Sequence, residues 1–260
     1  MKKILLLIIS ATILLGSCKK DHKAEPEPAK IKIAEKTTSG GLRIALWADK
    51  SEFTVAYNKV YVSLTKADGS EVNDASLTYH PLMNMISMQH SSPVEQPVYI
   101  STEHLYGGAV VFSMPSGEMG SWQLTVNVNN EPVVFDVAVA PLPSGTKYTG
   151  TFVGTDGNSY TVSLVEPVLP KIGINDIDVL VNRRADMMNF PADEGFTIEL
   201  NPEMPSMGHG SPNNVNPVHK SNGHYKGKVN FTMTGDWRLH LKLKKGGTVV
   251  VEDAALDLFF

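Results

Sequence analysis

Trp237-Arg238-Leu239-His240-Leu241-Lys242-Leu243-Lys244 is the stretch that decides the fold class. Apolar and polar residues alternate along it without a break, and residues 122–129 repeat the pattern as Trp-Gln-Leu-Thr-Val-Asn-Val-Asn. Successive side chains of a strand point to opposite faces of the sheet. Each run therefore predicts a strand with one buried face and one solvated face.

Similar runs, separated by Gly, Pro, Asn or Asp, extend outward from these two, and no amphipathic helix interrupts them. In the first half the further strand candidates are residues 43–47, 59–65, 75–79, 109–114 and 133–140. About seven short strands per hundred residues is typical of an immunoglobulin-like β-sandwich. Pro141, Pro143 and Gly145 do not suit a central strand. We therefore predict an all-β chain with two tandem β-sandwich domains, residues 42–140 and 146–260.

The N-terminus has the layout of a secretory signal peptide. Met1-Lys2-Lys3 is positive, and the apolar stretch from Ile4 to Leu15 is too short to favour a transmembrane helix. Gly16 and Ser17 precede Cys18, the only cysteine, and resemble a lipobox. The pattern predicts cleavage of residues 1–17 and acylation of Cys18; the alternative is an ordinary cleavage site that leaves a stray thiol. Lipid at Cys18 would hold the protein in the cell envelope, and we expect the outer membrane.

Residues 18–41 are rich in Lys, Glu, Ala and Pro and offer no sustained apolar face, which predicts a flexible tether. Loss of Lys2 and Lys3 on cleavage leaves 21 basic against 27 acidic residues, a net charge of −6. Phosphate binding needs a basic surface, so we expect no nucleic-acid partner. The absence of cysteine after Cys18 excludes disulfides, zinc-thiolate sites and thiol nucleophiles from both domains.

The two halves contain a repeat at an offset of 119 residues. Eleven of the thirty positions from Met85 to Met114 are identical to those from Met204 to Met233. The identical pairs are Met85, Ser87, Met88, His90, Ser92, Pro93, Tyr106, Gly108, Val110, Phe112 and Met114 with Met204, Ser206, Met207, His209, Ser211, Pro212, Tyr225, Gly227, Val229, Phe231 and Met233. The repeat predicts, in each domain, a loop with the motif M-x-x-M-x-H, a strand, a turn and the strand that starts with tryptophan.

The second copy resembles the YtkA-like domain over about residues 158 to 245. This small exported β-sandwich family is similar to FixH-like proteins and, more loosely, to CopC-like copper-binding folds. The resemblance rests on Met204-Pro-Ser-Met207-Gly-His209-Gly, Gly223-His224-Tyr225 and Phe231-Thr-Met233-Thr-Gly235-Asp-Trp237. The first copy, over about residues 43 to 130, is more distant, with Ile86 and Gln89 in place of proline and glycine. The resemblance implies a lipoprotein with tandem YtkA-like domains and a role in heavy-metal or copper handling.

Thioether and imidazole donors together select Cu(I), because soft sulfur prefers a soft ion. The candidate metal ligands are therefore Met85, Met88 and His90 in the first domain and Met204, Met207 and His209 in the second. His219 and His224 are additional candidates in the second domain. The alternative is structural, since methionine often fills irregular gaps at the open end of a sandwich. That role is favoured for Met114 and Met233, which continue the apolar face of a strand.

The chain has no nucleophile elbow, zinc-protease motif, phosphate-binding glycine loop or dinucleotide fingerprint, so we expect no enzyme. Two hypotheses remain. The first is a lipid-anchored protein that binds Cu(I) at one site per domain and exchanges it with a metal-transport or assembly protein. The second is an interaction module that contacts an efflux or oxidase-assembly component through its methionine loops. The pairing of His with Met in both copies favours the first hypothesis, because an apolar contact surface would not require imidazole.

Overall fold

The structure, a computed structural model, describes residues 29–260. Every regular element in this range is a strand. The first eleven are β1 (Ile31–Thr37), β2 (Arg43–Ala48), β3 (Phe53–Thr54), β4 (Tyr57–Thr65), β5 (Leu77–Met85), β6 (Gln89–His90), β7 (Val94–Ile100), β8 (Leu105–Val111), β9 (Gly120–Val128), β10 (Glu131–Val137) and β11 (Val139–Ala140). The remaining ten are β12 (Thr149–Val153), β13 (Ser159–Glu166), β14 (Gly173–Arg184), β15 (Thr197–Met204), β16 (His209–Gly210), β17 (Val215–Ser221), β18 (His224–Phe231), β19 (Asp236–Lys245), β20 (Thr248–Val251) and β21 (Leu256–Phe259). No helix in the described range is long and apolar enough to span a membrane.

The strands form two β-sandwiches, which confirms the predicted fold class. In the first domain one sheet has the order β1-β2-β4-β8-β7 and the facing sheet the order β10-β9-β5-β6, while β11 pairs with β3. In the second domain the sheets are β12-β13-β14-β18-β17 and β16-β15-β19-β20, with β21 also paired to β19. The strands of the first domain end at Ala140 and those of the second begin at Thr149.

The alternating pattern of β19 produces the expected two-faced strand. Trp237, Leu239, Leu241 and Leu243 are at most 1% exposed and belong to the core of the second domain. The intervening side chains point outward, and two of the lysines pair with Glu199 and Glu252. Full burial of one large apolar side chain is worth about 1.5–3 kcal/mol, so this one strand supplies a large share of the driving force for folding.

Equivalent hydrogen bonds, as well as the same strand order, occur within both domains. Tyr106 Oη accepts a hydrogen bond from Ala75 N at 2.9 Å, and Tyr225 Oη accepts one from Phe196 N at 3.0 Å. The indole Nε1 of Trp122 donates to Met114 O at 2.9 Å, and the second domain repeats this bond between Trp237 and Met233 at 3.0 Å. Trp122 and Trp237 are both buried in the centre of their sandwiches, at most 1% exposed.

The repeated glycines allow two backbones to approach closely. A Cβ at Gly108 would lie 2.5 Å from Glu95 O, and one at Gly227 would lie 2.3 Å from Val215 O. Each glycine faces an edge strand whose register shifts at this point, between Glu95 and Val98 in β7 and between Val215 and Val218 in β17. Both domains therefore combine a β-bulge in the edge strand with a close backbone approach at the repeated glycine.

The prediction of a flexible tether over residues 18–41 is wrong for its second half. Ile31–Thr37 is strand β1, which pairs with β2 along its whole length. The alternation of Ile31, Ile33 and charged residues is a strand signal that the surrounding Lys and Glu concealed. As an edge strand, β1 needs only one partly buried face. The signal peptide, Cys18 and the first part of the tether lie outside the described residues.

Candidate functional site

The turn between β15 and β16 carries Met204, Met207 and His209, which we call the second Met/His hairpin. Met207 N and Gly208 N both donate to Met204 O, at 3.1 and 2.9 Å. Gly208 has a φ of 63°, a left-handed conformation that glycine adopts without steric cost. This tight turn places Met204 directly opposite His209 in the β15–β16 pair. Side chains of directly opposite residues share one face of a sheet, so the thioether and the imidazole are neighbours.

The two methionines of this hairpin lie at different depths. Met204 is 5% exposed and belongs to the core, whereas Met207 is 61% exposed at the turn. Gly235 makes room for the Met204 methyl group, because a Cβ at that position would lie 2.4 Å from Met204 Cε. Met233, for which we favoured a structural role, is 37% exposed. The hairpin thus has one thioether at the core boundary, that of Met204, and one open to solvent, that of Met207.

Both hairpin histidines have a fixed tautomer. Nδ1 of His209 lies 2.9 Å from Gly210 O, and Nδ1 of His90 lies 2.7 Å from Ser91 O. A carbonyl oxygen only accepts, so Nδ1 carries the proton in both rings. In the neutral imidazole Nε2 is then left with its lone pair. Each ring also packs edge-on against the central tryptophan, His209 on Trp237 at 6.0 Å and His90 on Trp122 at 5.5 Å between centroids.

The first domain has a corresponding turn between β5 and β6, which carries Met85, Met88 and His90 and which we call the first Met/His hairpin. Met85 N donates to Met88 O at 3.0 Å, so these residues close the turn. Met88 is 44% exposed, and Met85 is partly buried against the core. His90 lies opposite Met83, and Met83 lies opposite Trp122. The three side chains therefore form a row across β6, β5 and β9.

This register corrects the ungapped repeat. The methionine opposite the histidine is Met204 in the second domain but Met83, not Met85, in the first. The physical reason is a turn two residues longer, since four residues lie between Met204 and His209 and six lie between Met83 and His90. Met83 is fully buried and is the structural counterpart of Met204. Met85 and Met88 lie in the longer turn above it.

The additional candidates His219 and His224 do not lie at the second Met/His hairpin. His219 pairs with Tyr225, next to His224 at the start of β18, whereas Met233 follows the far end of that strand. Eight extended residues separate the two ends by roughly 25 Å. His219 Nε2 instead faces Glu194 Oε1 at 3.8 Å. Within residues 29–260, no cluster of three or more His, Cys, Asp or Glu side chains is arranged to hold a metal ion.

His224 joins the two domains. Its Nδ1 lies 3.0 Å from Asp178 Oδ1 in its own domain, and its Nε2 lies 2.8 Å from Glu95 Oε1 in the first domain. The carboxylates of Asp178 and Glu95 raise the pKa of His224 to about 9. Burial opposes ionisation of Glu95, but hydrogen bonds from His224 and from Tyr57 Oη outweigh it and lower the pKa of Glu95. An imidazolium is thus held between two carboxylates at the domain junction.

Comparison with known proteins assigns a family to part of the chain. Residues 155–242 match the model of the family described as YtkA-like. The second domain is similar to the YtkA-like family over these residues. The match to the YtkA-like family includes the whole second Met/His hairpin and ends before β20, and it does not extend to the first domain. The predicted resemblance is confirmed for the second copy. The first domain has the same strand order as this second domain, and its tyrosine and tryptophan make the equivalent hydrogen bonds.

Solved structures similar to this chain include bacterial adhesins. The Escherichia coli adhesin FdeC has 14% identity and a TM-score of 0.30, with 87% of this chain and 66% of that chain covered. The Yersinia pseudotuberculosis adhesin InvE has 13% identity and a TM-score of 0.31, with 86% and 61% covered. Invasin, a bacterial integrin-binding protein, has 11% identity and a TM-score of 0.26, with 89% and 38% covered. A search of the curated proteins found no match.

Sequence reasoning missed two groups at these sites. Met83 was left out of the ligand set because the ungapped repeat begins at Met85, although the alternation of Met83 and Met85 indicated a shared face. Glu95 has no signal of its own, since its partner His224 is 129 residues away. Only the docking of the YtkA-like domain against the first domain brings these two side chains together.

Proposed function

We propose that this protein is an exported, lipid-anchored Cu(I)-binding protein of the cell envelope, with one metal site on each Met/His hairpin. The observation that supports it most strongly is common to both domains. A backbone carbonyl fixes Nδ1 of the hairpin histidine as the protonated nitrogen, which leaves Nε2 as an electron-pair donor next to thioethers. Metal-bound histidines in proteins usually donate their other nitrogen to a carbonyl or carboxylate in this way.

The donor set matches the chemistry of a soft monovalent ion. The second Met/His hairpin offers the Nε2 of His209 and the sulfur atoms of Met204 and Met207. The first offers the Nε2 of His90 and the sulfur atoms of Met85 and Met88, beside the buried Met83 that lies opposite His90. Thioethers bind Cu(I) and are poor ligands for hard ions such as Mg²⁺ and Ca²⁺. Exposure of Met88 and Met207 gives an ion access from solvent, and the donors come from a hairpin held by backbone hydrogen bonds.

The membrane anchor is the second part of the proposal. Acylation of Cys18 would place more than one lipid chain at the N-terminus, which suffices for stable anchoring at about 0.8 kcal/mol per buried CH₂. Residues 19–30 would then connect the lipid to β1. The proposed location is the outer membrane, where the protein would take up Cu(I) or pass it to a metal-transport or assembly protein.

One observation favours the second candidate, an interaction module without metal. Ile86 is 90% exposed at the tip of the first Met/His hairpin, and Met207 is 61% exposed at the tip of the second. Exposed apolar tips with flexible methionines suit contact with a partner protein. This alternative explains the exposed apolar groups but does not explain why the histidine beside them has the same tautomer in both domains.

A competition titration with a coloured Cu(I) chelator tests the proposal. We expect the wild-type chain from Lys19 onward to take up two Cu(I) ions, and the double variant His90→Ala, His209→Ala to bind at least about tenfold more weakly at each site. A loss of this size is typical even for removal of an outer-shell partner of a metal. The reason is that the variant lacks the only imidazole donor of each hairpin.

The matched control is the double variant His80→Ala, His240→Ala, which removes one imidazole per domain outside the hairpins. His80 contacts Thr78, and His240 lies between Glu203 and Asp253. The control should titrate like the wild type. Equal Cu(I) uptake by the wild type and the His90→Ala, His209→Ala variant would eliminate the metal sites and leave the interaction module.

A further inference from the structure

The first Met/His hairpin is in contact with the second domain. Ser91, which follows His90, donates its backbone N–H to Met187 O at 2.8 Å. Met187 lies in the loop from Ala185 to Asn189, which connects β14 to β15 at the end of the second domain that also carries His224. The backbone carbonyl of Met187, in the second domain, therefore accepts a hydrogen bond from Ser91, in the first domain. Ser91 is the residue next to His90, the proposed imidazole ligand.

This loop has a defined conformation. Ala185 N donates to Asn189 O at 2.9 Å, and Met188 N donates to Asp186 Oδ1 at 2.7 Å. The first domain has the same turn between β4 and β5, where Ser70 N donates to Asp68 Oδ1 at 2.9 Å. The backbone bond that closes that turn, from Lys66 N to Ser70 O, corresponds to the bond from Ala185 N to Asn189 O, so Asp68 and Gly69 occupy the positions of Met187 and Met188. Of the two equivalent loops, only the one that contacts a Met/His hairpin contains methionine.

The docking of this loop has a second attachment point. Glu95, four residues beyond Ser91, accepts hydrogen bonds from His224 Nε2 at 2.8 Å and from Tyr57 Oη at 2.5 Å. The link between Ser91 and Met187 and the link between Glu95 and His224 together fix the second domain on one edge of the first. Met187 is 36% exposed, so its thioether is not sequestered in the core of the second domain.

We propose that Met187 is a thioether ligand of the metal held by the first Met/His hairpin, so that this site is shared between the two domains. The inference rests on the proposed function. The unbranched methionine side chain has three rotatable bonds, which let its sulfur turn toward a metal at His90 while the backbone remains bonded to Ser91. An added soft donor strengthens the preference for Cu(I) over harder ions.

The two metal sites are then unequal. The first contains donors from both domains and depends on their docking, whereas the second is built by its own hairpin alone, at the end of β18 opposite His224. The second domain contacts the first hairpin only at its base, through Ser91 and Met187, and leaves Met88 44% exposed, so solvent reaches both hairpins.

Cu(I) titration in a His209→Ala background, which leaves only the first site, tests the shared ligand. We expect the added substitution Met187→Leu to weaken Cu(I) binding at least about tenfold, the loss typical of removing even an outer-shell partner. The matched control is Met207→Leu in the same background, which makes the same change at an exposed methionine of the disabled hairpin. The control should leave the affinity unchanged, and equal affinities for all three proteins would overturn the shared site.

A second readout does not depend on affinity. In the same His209→Ala protein with ¹³C-labelled methionine methyl groups, Ag(I) serves as a stand-in for Cu(I), because it is also a soft d10 ion but does not oxidise in air to a paramagnetic ion. We expect the methyl signals of Met85, Met88 and Met187 to shift together and to saturate at one equivalent. If Met85 and Met88 shift without Met187, the shared site is wrong and the proposed function stands. If no methionine signal shifts, the shared ligand is wrong and so is the metal site that the proposed function places on the first hairpin.

Discussion

Replacement of Trp237 with alanine is expected to lower the free energy of unfolding of the second domain by about 3–5 kcal/mol. The indole is 1% exposed and packs on Phe231, with ring centroids 5.3 Å apart. Its Nε1 donates a hydrogen bond to Met233 O, and its ring packs against the imidazole of His209. The substitution therefore leaves a cavity at the centre of the sandwich and an unpaired carbonyl at its rim. The free energy of unfolding of a domain is only about 5–15 kcal/mol, so the substitution removes a large share of it.

Thermal unfolding followed by circular dichroism measures this loss, and we expect the second-domain transition to fall by more than about 10 °C. Trp47→Ala is the matched control, because Trp47 is only partly buried, on β2, and its Nε1 donates to Ser63 Oγ on the neighbouring strand. That control should shift the transition by clearly less. A Trp237→Ala protein as stable as Trp47→Ala would contradict the assignment of Trp237 to the core.

The strands that follow strict alternation were predictable from sequence because local chemistry determines them. The run that starts at Trp237 has every second residue apolar, and only an extended chain puts all of those side chains on one face. β1 was not predicted because edge strands bury little and carry many charges. The turn signals near Pro141 and Pro143 separated the domains for the same local reason, since proline cannot donate a hydrogen bond within a sheet.

The candidate site was predictable only in part. The motif indicated which residue types meet at the end of each sandwich, and both hairpins do place histidine beside methionine. The register of the first Met/His hairpin was not predictable, because Met83, Met85 and Met88 offer several pairings with His90 and an ungapped repeat selects the wrong one. A register change of two residues keeps the same face toward the core, so burial patterns alone do not reveal it.

The contacts of Glu95 with His224 and of Ser91 with Met187 depend on how two folded domains dock. Each of these residues lies in a segment with an ordinary strand or loop pattern, and nothing in that pattern identifies its partner. Docking nevertheless distinguishes the two hairpins, because it places the loop with Met187 against the residue that follows His90 and leaves the second hairpin at the opposite end of β18. The difference between the contacts of the two hairpins therefore comes from how the domains dock, not from their motifs.

Stability that depends on His224 is expected to disappear as the pH rises through about 9. The folded protein raises the pKa of His224 to about 9 from an unfolded value near 6.5, through Asp178 first and Glu95 second. A histidine whose pKa is raised on folding stabilises the folded state fully below the unfolded pKa. That contribution is lost as the pH rises through the folded pKa.

Around the imidazole lie Asp178, Glu95, the Tyr57 ring at 6.3 Å and Lys226, which pairs with Asp178. After allowance for solvent screening at the domain junction, we expect a loss of about 2 kcal/mol between pH 7 and pH 10.

Urea unfolding of the wild type and of His224→Gln, at several pH values from 6 to 10, measures this contribution as the difference between the two curves. The difference should be largest at pH 6–7 and approach zero near pH 10, since glutamine retains hydrogen bonding but not the charge. His104→Gln is the matched control, because His104 also pairs with a carboxylate, Glu71, but lies exposed on the surface. The control difference should stay small at every pH. A His224→Gln difference that is constant across this range would show that the imidazolium does not hold the junction, and that hydrogen bonding alone joins Asp178, residue 224 and Glu95.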